Sequence, residues 1–181
     1  MPIKGLHNVE NVLAAICVLK ALDYDSLDIS TAISLFKGVK HRLEKIGTVD
    51  GVNFINDSKS TNPDSAIKAV ESCENDTVLI LGGYDKGLDY SNLFKEIKIN
   101  SKIKMTVITG ACSTKMVEAA VKEKVENLVV VSDFENAIIA AFRLASAGDD
   151  VLLSPATSSF DEFSNFEERG ERFAEIVKSL A

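Results

Sequence analysis

From about residue 40 onward, short apolar runs alternate with amphipathic segments. The runs are Gly51–Asn56, Thr77–Leu81, Lys104–Thr109, Leu128–Val131 and Asp150–Leu153. Each is rich in β-branched residues or leucine and bounded by polar residues or glycine, the pattern of strands buried on both faces. The intervening segments are Asp64–Ser72, Tyr90–Ile97, Ser113–Lys124, Phe134–Ala145 and Asp161–Leu180. Apolar residues recur there at helical spacing, as in Met116, Ala119, Ala120 and in Phe134, Ala137, Ile138, Ala141. Ile46–Val49 adds a strand that folds back antiparallel onto Gly51–Asn56 through the tight Asp50-Gly51 turn. Strand–helix alternation over this length predicts an α/β fold with a doubly wound, mainly parallel, Rossmann-like sheet.

Ahead of residue 40 the pattern is helical only. Asn8–Leu22 is rich in helix formers, with Asn8 or Asn11 able to cap its start. Ser30–Phe36 reads as a second, short helix, with Asp28 or Ser30 as its cap and Gly38 as its stop. These helices have no strand of their own, so the expected organisation is a helical segment over 1–38 and a sheet domain over 39–181.

Composition narrows the class. Hydrophobic residues make up 46% of the 181 and charged residues 26%, which excludes intrinsic disorder. A domain of this size buries enough surface to fold without a metal or disulfide staple. With 20 basic and 27 acidic residues the net charge is −7, which opposes binding to nucleic acid or to an acidic membrane. Cys17, Cys73 and Cys112 are odd in number, widely spaced and form no C-x-x-C, so the expectation is a reducing, cytoplasmic compartment with no zinc site. Val12–Leu19 could imitate a signal-peptide core, but Asn8, Glu10 and Asn11 precede it and Lys20 follows directly, so it reads as a helix.

Ligands of doubly wound sheets collect beyond the carboxyl ends of the strands. Three of those ends carry polar loops: Asn56-Asp57-Ser58-Lys59-Ser60-Thr61-Asn62-Pro63, Gly82-Gly83-Tyr84-Asp85-Lys86-Gly87, and Ser154-Pro155-Ala156-Thr157-Ser158-Ser159-Phe160. Their hydroxyls, backbone N–H groups and lysines suit an anionic small molecule, with helix N-termini adding partial positive charge at the Thr61 and Ser159 loops. Taken singly, each loop reads equally well as caps and turns; three at one edge favour a site. No dinucleotide fingerprint, P-loop or serine elbow occurs. His7 and His41 are too far apart in sequence to be read as a metal pair.

Four blocks of the sequence, two of them containing loops just described, resemble the Mur ligase family. The blocks are Gly5-Leu6-His7-Asn8-Val9-Glu10-Asn11, His41-Arg42-Leu43-Glu44, the Asn56–Asn62 loop, and Ser154–Phe163 followed by Asn165-Phe166-Glu167 and Arg169-Gly170. Gly82-Gly83 and Asp85-Lys86-Gly87 lie between them in the family's order. The resemblance spans essentially the whole chain. It implies the tail of a central ATPase domain followed by a C-terminal amino-acid-binding domain. The P-loop, the UDP-sugar domain and the magnesium ligands would then lie elsewhere in a longer enzyme.

The last block is of the type found in the branch that adds D-glutamate. The resemblance therefore implies an ATP-dependent ligase that joins D-glutamate to UDP-N-acetylmuramoyl-L-alanine through an acyl phosphate, in peptidoglycan precursor synthesis. Magnesium would neutralise phosphate charge. The chain alone would be inactive.

By the same resemblance Asn8 and Asn11 approach the adenine with His7 beside them, and Asp57 accepts from the ribose. Arg42 reaches the phosphates, and Arg42 and Lys86 are the catalytic pair. Lys86 and Thr61 hold D-glutamate, Ser159 and the backbone near Phe166 fix its second carboxylate, Lys59 adds charge and Phe160 walls the pocket. Ser60, where alanine is frequent, and Thr157-Ser158 depart from the commonest pattern without removing a clamp. The alternatives are a noncatalytic amino-acid or nucleotide binding module, and a related Mur ligase that adds another amino acid.

Overall fold

The structure is a computed structural model that describes residues 6–180, the side chains of Leu6 and His7 excepted; the expectation for His7 lies outside the described residues. The chain divides into two compact units, Met1–Lys40 and His41–Ala181. The first contains α1 (Leu6–Ala21) and α2 (Ser26–Leu35). Neither asparagine caps α1: the helix is already formed at Leu6, so Asn8 and Asn11 lie within it. α2 starts four residues before the expected Ser30. Asp25, in extended conformation, accepts from Leu27 N at 2.7 Å, a stronger cap than Asp28 or Ser30, which are inside the helix. The same helix ends at Leu35, before the expected glycine stop. Ile29 is buried in this unit, whereas Leu13, Val18, Leu22, Leu27 and Leu35 are exposed.

The second unit is a six-stranded sheet wrapped by helices. In chain order it contains β1 (Glu44–Val49), β2 (Val52–Asn56), α3 (Pro63–Glu71), β3 (Thr77–Gly82), α4 (Ser91–Ile99), β4 (Ile103–Thr109), α5 (Ser113–Glu123), β5 (Leu128–Val130), α6 (Phe134–Leu144), β6 (Asp150–Leu153) and α7 (Phe166–Ser179). The strand order is β1-β2-β6-β3-β4-β5. Only β1 runs antiparallel, facing β2 across Asp50 and Gly51, whose φ values of 48° and 82° are those of the expected hairpin turn.

Alternation along β3 explains why it reads as an unbroken apolar run. Val78 and Ile80 pack toward one face, with Phe134, Ile138, Phe173 and Ile176 of α6 and α7. Leu79 and Leu81 pack toward the other, with Ala66, Leu93, Phe94 and Met116 of α3, α4 and α5. Both faces are covered, which is the doubly wound architecture expected from the sequence. Among the described residues no helix is long and apolar enough to cross a membrane.

The last helix departs from expectation. It begins at Phe166, not Asp161, because Asn165 accepts from Glu168 N at 2.7 Å and Glu168 in return accepts from Ser164 N at 2.8 Å. Asp161 and Glu162 face other helices: Asp161 accepts from Ala111 N at 3.1 Å, and Glu162 from Phe134 N at 3.4 Å. Residues 154–165 are therefore a long loop pinned across the carboxyl edge, and Ser159 does not sit at the start of the following helix as the sequence suggested.

Candidate functional site at the carboxyl edge of the sheet

β2, β6 and β3 are neighbours, so the loops leaving them meet. Asp57 continues the ladder, donating its N–H to Leu153 O at 2.8 Å. Its side chain accepts from Ser60 Oγ, from Ser154 Oγ at 2.8 Å and from Leu43 N at 3.2 Å. Burial pushes its pKa from 3.8 up to about 6; these three donors and the nearby Arg42 guanidinium oppose the rise without cancelling it. The carboxyl group thus ties the turn before β1, its own loop and the loop after β6 to one point.

Asn56 does the same on the other face. Its amide donates to His41 Nδ1 and to Gly170 O, each at 3.0 Å, and its oxygen accepts from Ser58 N at 3.1 Å. An accepting Nδ1 places the proton of a neutral His41 ring on Nε2. His41 is buried with φ at 63°, its N–H donating to Glu44 Oε2 at 2.7 Å, and its ring lies so close to Gly170 that a Cβ there would strike Nδ1. Arg42, exposed, stands between two residues of left-handed backbone, His41 and Leu43.

Lys86 and Thr61, assigned together to D-glutamate, lie together: Lys86 Nζ donates to Thr61 O at 3.2 Å. Asp85 is taken up by Lys115 at 2.7 Å and by Gly87 N at 2.8 Å, which fixes the base of the lysine loop. Lys59 Nζ lies 4.5 Å from the centre of the Phe166 ring. The loops after β3 and β6 are zipped by Gly82 N to Pro155 O at 3.0 Å, Tyr84 N to Ser158 O at 2.9 Å, and Thr157 Oγ1 to Tyr84 O. Close approaches on the two sides of β3 demand the paired glycines: a Cβ on Gly82 would strike Thr109 O of β4, and one on Gly83 would strike Ser158 O of the loop after β6. Ala156, fully buried, holds a left-handed φ of 63°, a strained position of the kind that gathers at ligand sites. Ser158 and Ser159 are buried, and neither hydroxyl makes a hydrogen bond among the described residues. Phe160 projects outward beside Tyr84, ring centres 6.3 Å apart.

Arg169, part of the last family block, takes a role that its place in the sequence does not show. Its guanidinium is buried, donating Nε to Ser58 Oγ at 2.9 Å and Nη2 to Ser58 O at 2.8 Å and to Thr157 O at 3.1 Å. Burial lowers its pKa to about 10, against the pull of Asp161. The signal was present: Phe166, Arg169, Gly170, Phe173, Ile176 and Val177 recur at helical spacing, so an arginine sits on the apolar stripe of α7. Of the remaining expected residues, Asn8 (half-buried) and Asn11 (exposed) belong to the other unit.

Residues 41–157 match the family model described as Mur ligase, glutamate ligase domain. The chain belongs to the Mur ligase family. Two curated relatives, each called UDP-N-acetylmuramoylalanine--D-glutamate ligase, are 48% identical to it: that of Pelotomaculum thermopropionicum over 97% of this chain, and that of Koribacter versatilis over 100%. The chain spans 38% and 39% of their lengths. Among solved Mur ligases, the UDP-N-acetylmuramate-alanine ligase of Thermotoga maritima matches 99% of this chain, with a TM-score of 0.72 and 21% identity, over 39% of its own length. The MurF ligase of the same organism, solved in complex with ADP, matches 94% with a TM-score of 0.60 and 16% identity, over 38% of its length. These two likenesses are of fold.

Proposed function

We propose that this chain supplies the D-glutamate-binding face of a ligase that joins D-glutamate to UDP-N-acetylmuramoyl-L-alanine at the expense of ATP. The observations that carry the reading are the contact of Lys86 with Thr61 at the carboxyl edge and, in the loop after β6 at that edge, the buried Ser159 hydroxyl, which has no partner among the described residues. A buried hydroxyl in that state calls for a ligand oxygen or water. A dicarboxylate needs two anion clamps that leave the amine free. Lys86 and Thr61 make one, and Ser159 with the backbone near Phe166 makes the other. The names of the relatives support the choice of amino acid.

The other substrates follow from the same reading. Arg42, exposed beside Asp57, serves the phosphates of ATP as a fixed cationic fork. Asp57 is assigned to the ribose by the same reading. Magnesium, which would neutralise phosphate charge, is assigned by the family resemblance to the rest of the ligase. The exposed leucines of α1 and α2 fit a segment that continues into an ATP-binding domain.

Titration of the isotope-labelled 181-residue chain with D-glutamate tests the proposal directly. Shifts should concentrate at the amides of Thr61, Lys86 and Ser159, with millimolar affinity, a binding free energy of about 4 kcal/mol. L-glutamate and diaminopimelate should shift them less at equal concentration. No shifts at those amides at saturating D-glutamate, or equal shifts with all three ligands, would reject the assignment.

A further inference from the structure

We infer that Arg169 is the positioning residue that sets the two halves of the D-glutamate pocket against each other. Three carboxyl-edge loops reach this one guanidinium. Ser58, after β2, is held through both its hydroxyl and its carbonyl; Thr157, after β6, is held through its carbonyl. Gly83, after β3, lies against the remaining nitrogen: a Cβ there would stand 3.0 Å from Nη1. Nη1 makes no hydrogen bond among the described residues. Ser58 Oγ also donates to Phe166 O at 2.8 Å, which joins the loop after β2 to the first turn of α7.

Lys59, Thr61, Lys86, Ser159 and Phe160, assigned to D-glutamate, lie within three positions of these anchors. Lys59 and Thr61 follow Ser58, Ser159 and Phe160 follow Thr157, and Tyr84 to Lys86 follow Gly83. Two buried carbonyls and a buried hydroxyl would lose their donor without the guanidinium, so the loops would have to move to reach water. A lysine keeps the charge, but its compact ammonium replaces the planar fork that reaches Ser58 and Thr157 together. Gly83 has a second reason to lack a side chain, since the guanidinium occupies the adjoining space. Arg169 touches no substrate on this account; it acts through Ser58 and Thr157.

The inference rests on the proposed D-glutamate site, and its test separates the two. R169K, S58A and the double variant of the 181-residue chain are compared with the parent, each under conditions where it is folded. R169K should raise the Kd for D-glutamate about 10-fold or more, the loss of a hydrogen-bonded charged anchor, and S58A should raise it by a smaller factor. The double variant should bind no worse than R169K alone, because both changes cut one linkage. In the free chain, amide exchange should quicken in R169K at residues 57–61 and 157–160 and stay unchanged in α3 to α5. A buried arginine with a merely structural role would lower stability and leave the Kd of the folded variant as it was.

R169K with parental affinity, multiplied effects in the double variant, or undisturbed exchange at both loops would each overturn the inference. Should the parent itself fail to take up D-glutamate, the functional proposal falls, and loop exchange alone decides the positioning claim. Should R169K not fold, S58A, which retains the guanidinium, carries the same comparison.

Discussion

Replacing Asp57 by asparagine measures what the buried carboxylate costs the fold. Asp57 is 3% exposed, and burial moves its pKa from 3.8 to about 6. An acid with a raised folded pKa holds its proton longer in the native state than in the unfolded chain. Between those two values the native state binds more protons, so its stability falls as pH rises through the window. Each unit of displacement corresponds to about 1.4 kcal/mol, so the roughly two units here amount to about 3 kcal/mol in full. Between about pH 4.5 and about pH 7.5 the linkage relation assigns about 2 kcal/mol of that loss.

Asparagine has the same shape and no charge to desolvate. Its oxygen can still accept from Leu43 N, and its amide can donate to the hydroxyls of Ser60 and Ser154, which rotate to accept. Urea denaturation of D57N and the parent, followed by circular dichroism at the two pH values, isolates the effect. D57N should gain on the parent by about 2 kcal/mol from the lower pH to the higher. A stability of D57N relative to the parent that is constant with pH, or that falls as pH rises, would refute the assignment of the raised pKa to a desolvated Asp57. A carboxylate kept at such expense fits a ligand contact, since a polar ligand would supply the solvation that the fold withholds.

Other perturbations test the remaining contacts. K86M should weaken D-glutamate binding about 10-fold or more, through loss of a charged anchor, with an unchanged urea midpoint because the side chain is exposed. Titration of the labelled variant reads the first, denaturation the second. G170A should destabilise the chain by about 1–3 kcal/mol, the usual cost of overpacking. That cost should shrink in an H41A background, because the clash is with the His41 ring. F160A, at a side chain 64% exposed, should change stability by less than about 0.5 kcal/mol while altering the shifts that D-glutamate induces in the loop.

Periodicity made most of the architecture legible. The strands begin and end within a residue or two of the apolar runs, because a parallel strand covered on both faces has no polar alternation to blur it. The Asp50-Gly51 turn was legible for a similarly local reason, its two positive φ values suiting these residue types. Helix starts were less legible. Asp25 caps a helix expected from Ser30, and Asn165 one expected from Asp161, through hydrogen bonds that a polar-residue count does not rank.

The residues expected at the D-glutamate pocket were visible as polar loops after strands, and the structure brings Lys86 to Thr61 and Lys59 to Phe166. The role of Arg169 was not legible because it is not local. The residue lies on a helix stripe otherwise built of core residues, and its partners, Ser58 and Thr157, are 111 and 12 positions away.

The amino-acid sequence by itself determined the class of fold, the order of its elements, the family and the edge of the sheet where chemistry would gather. The family follows from the resemblance of its motif blocks; the rest follow from spacing along the chain, which short-range sterics and burial translate directly into strands, helices and loops. Tertiary structure alone decided which loops touch and what holds them. The buried Asp57, the His41 ring pressed against Gly170 and the guanidinium shared by three loops arise only when β2, β6 and β3 become neighbours. Sequence order leaves these strands far apart; the sheet makes them adjacent, and there the burial of polar groups acquires its energetic consequences.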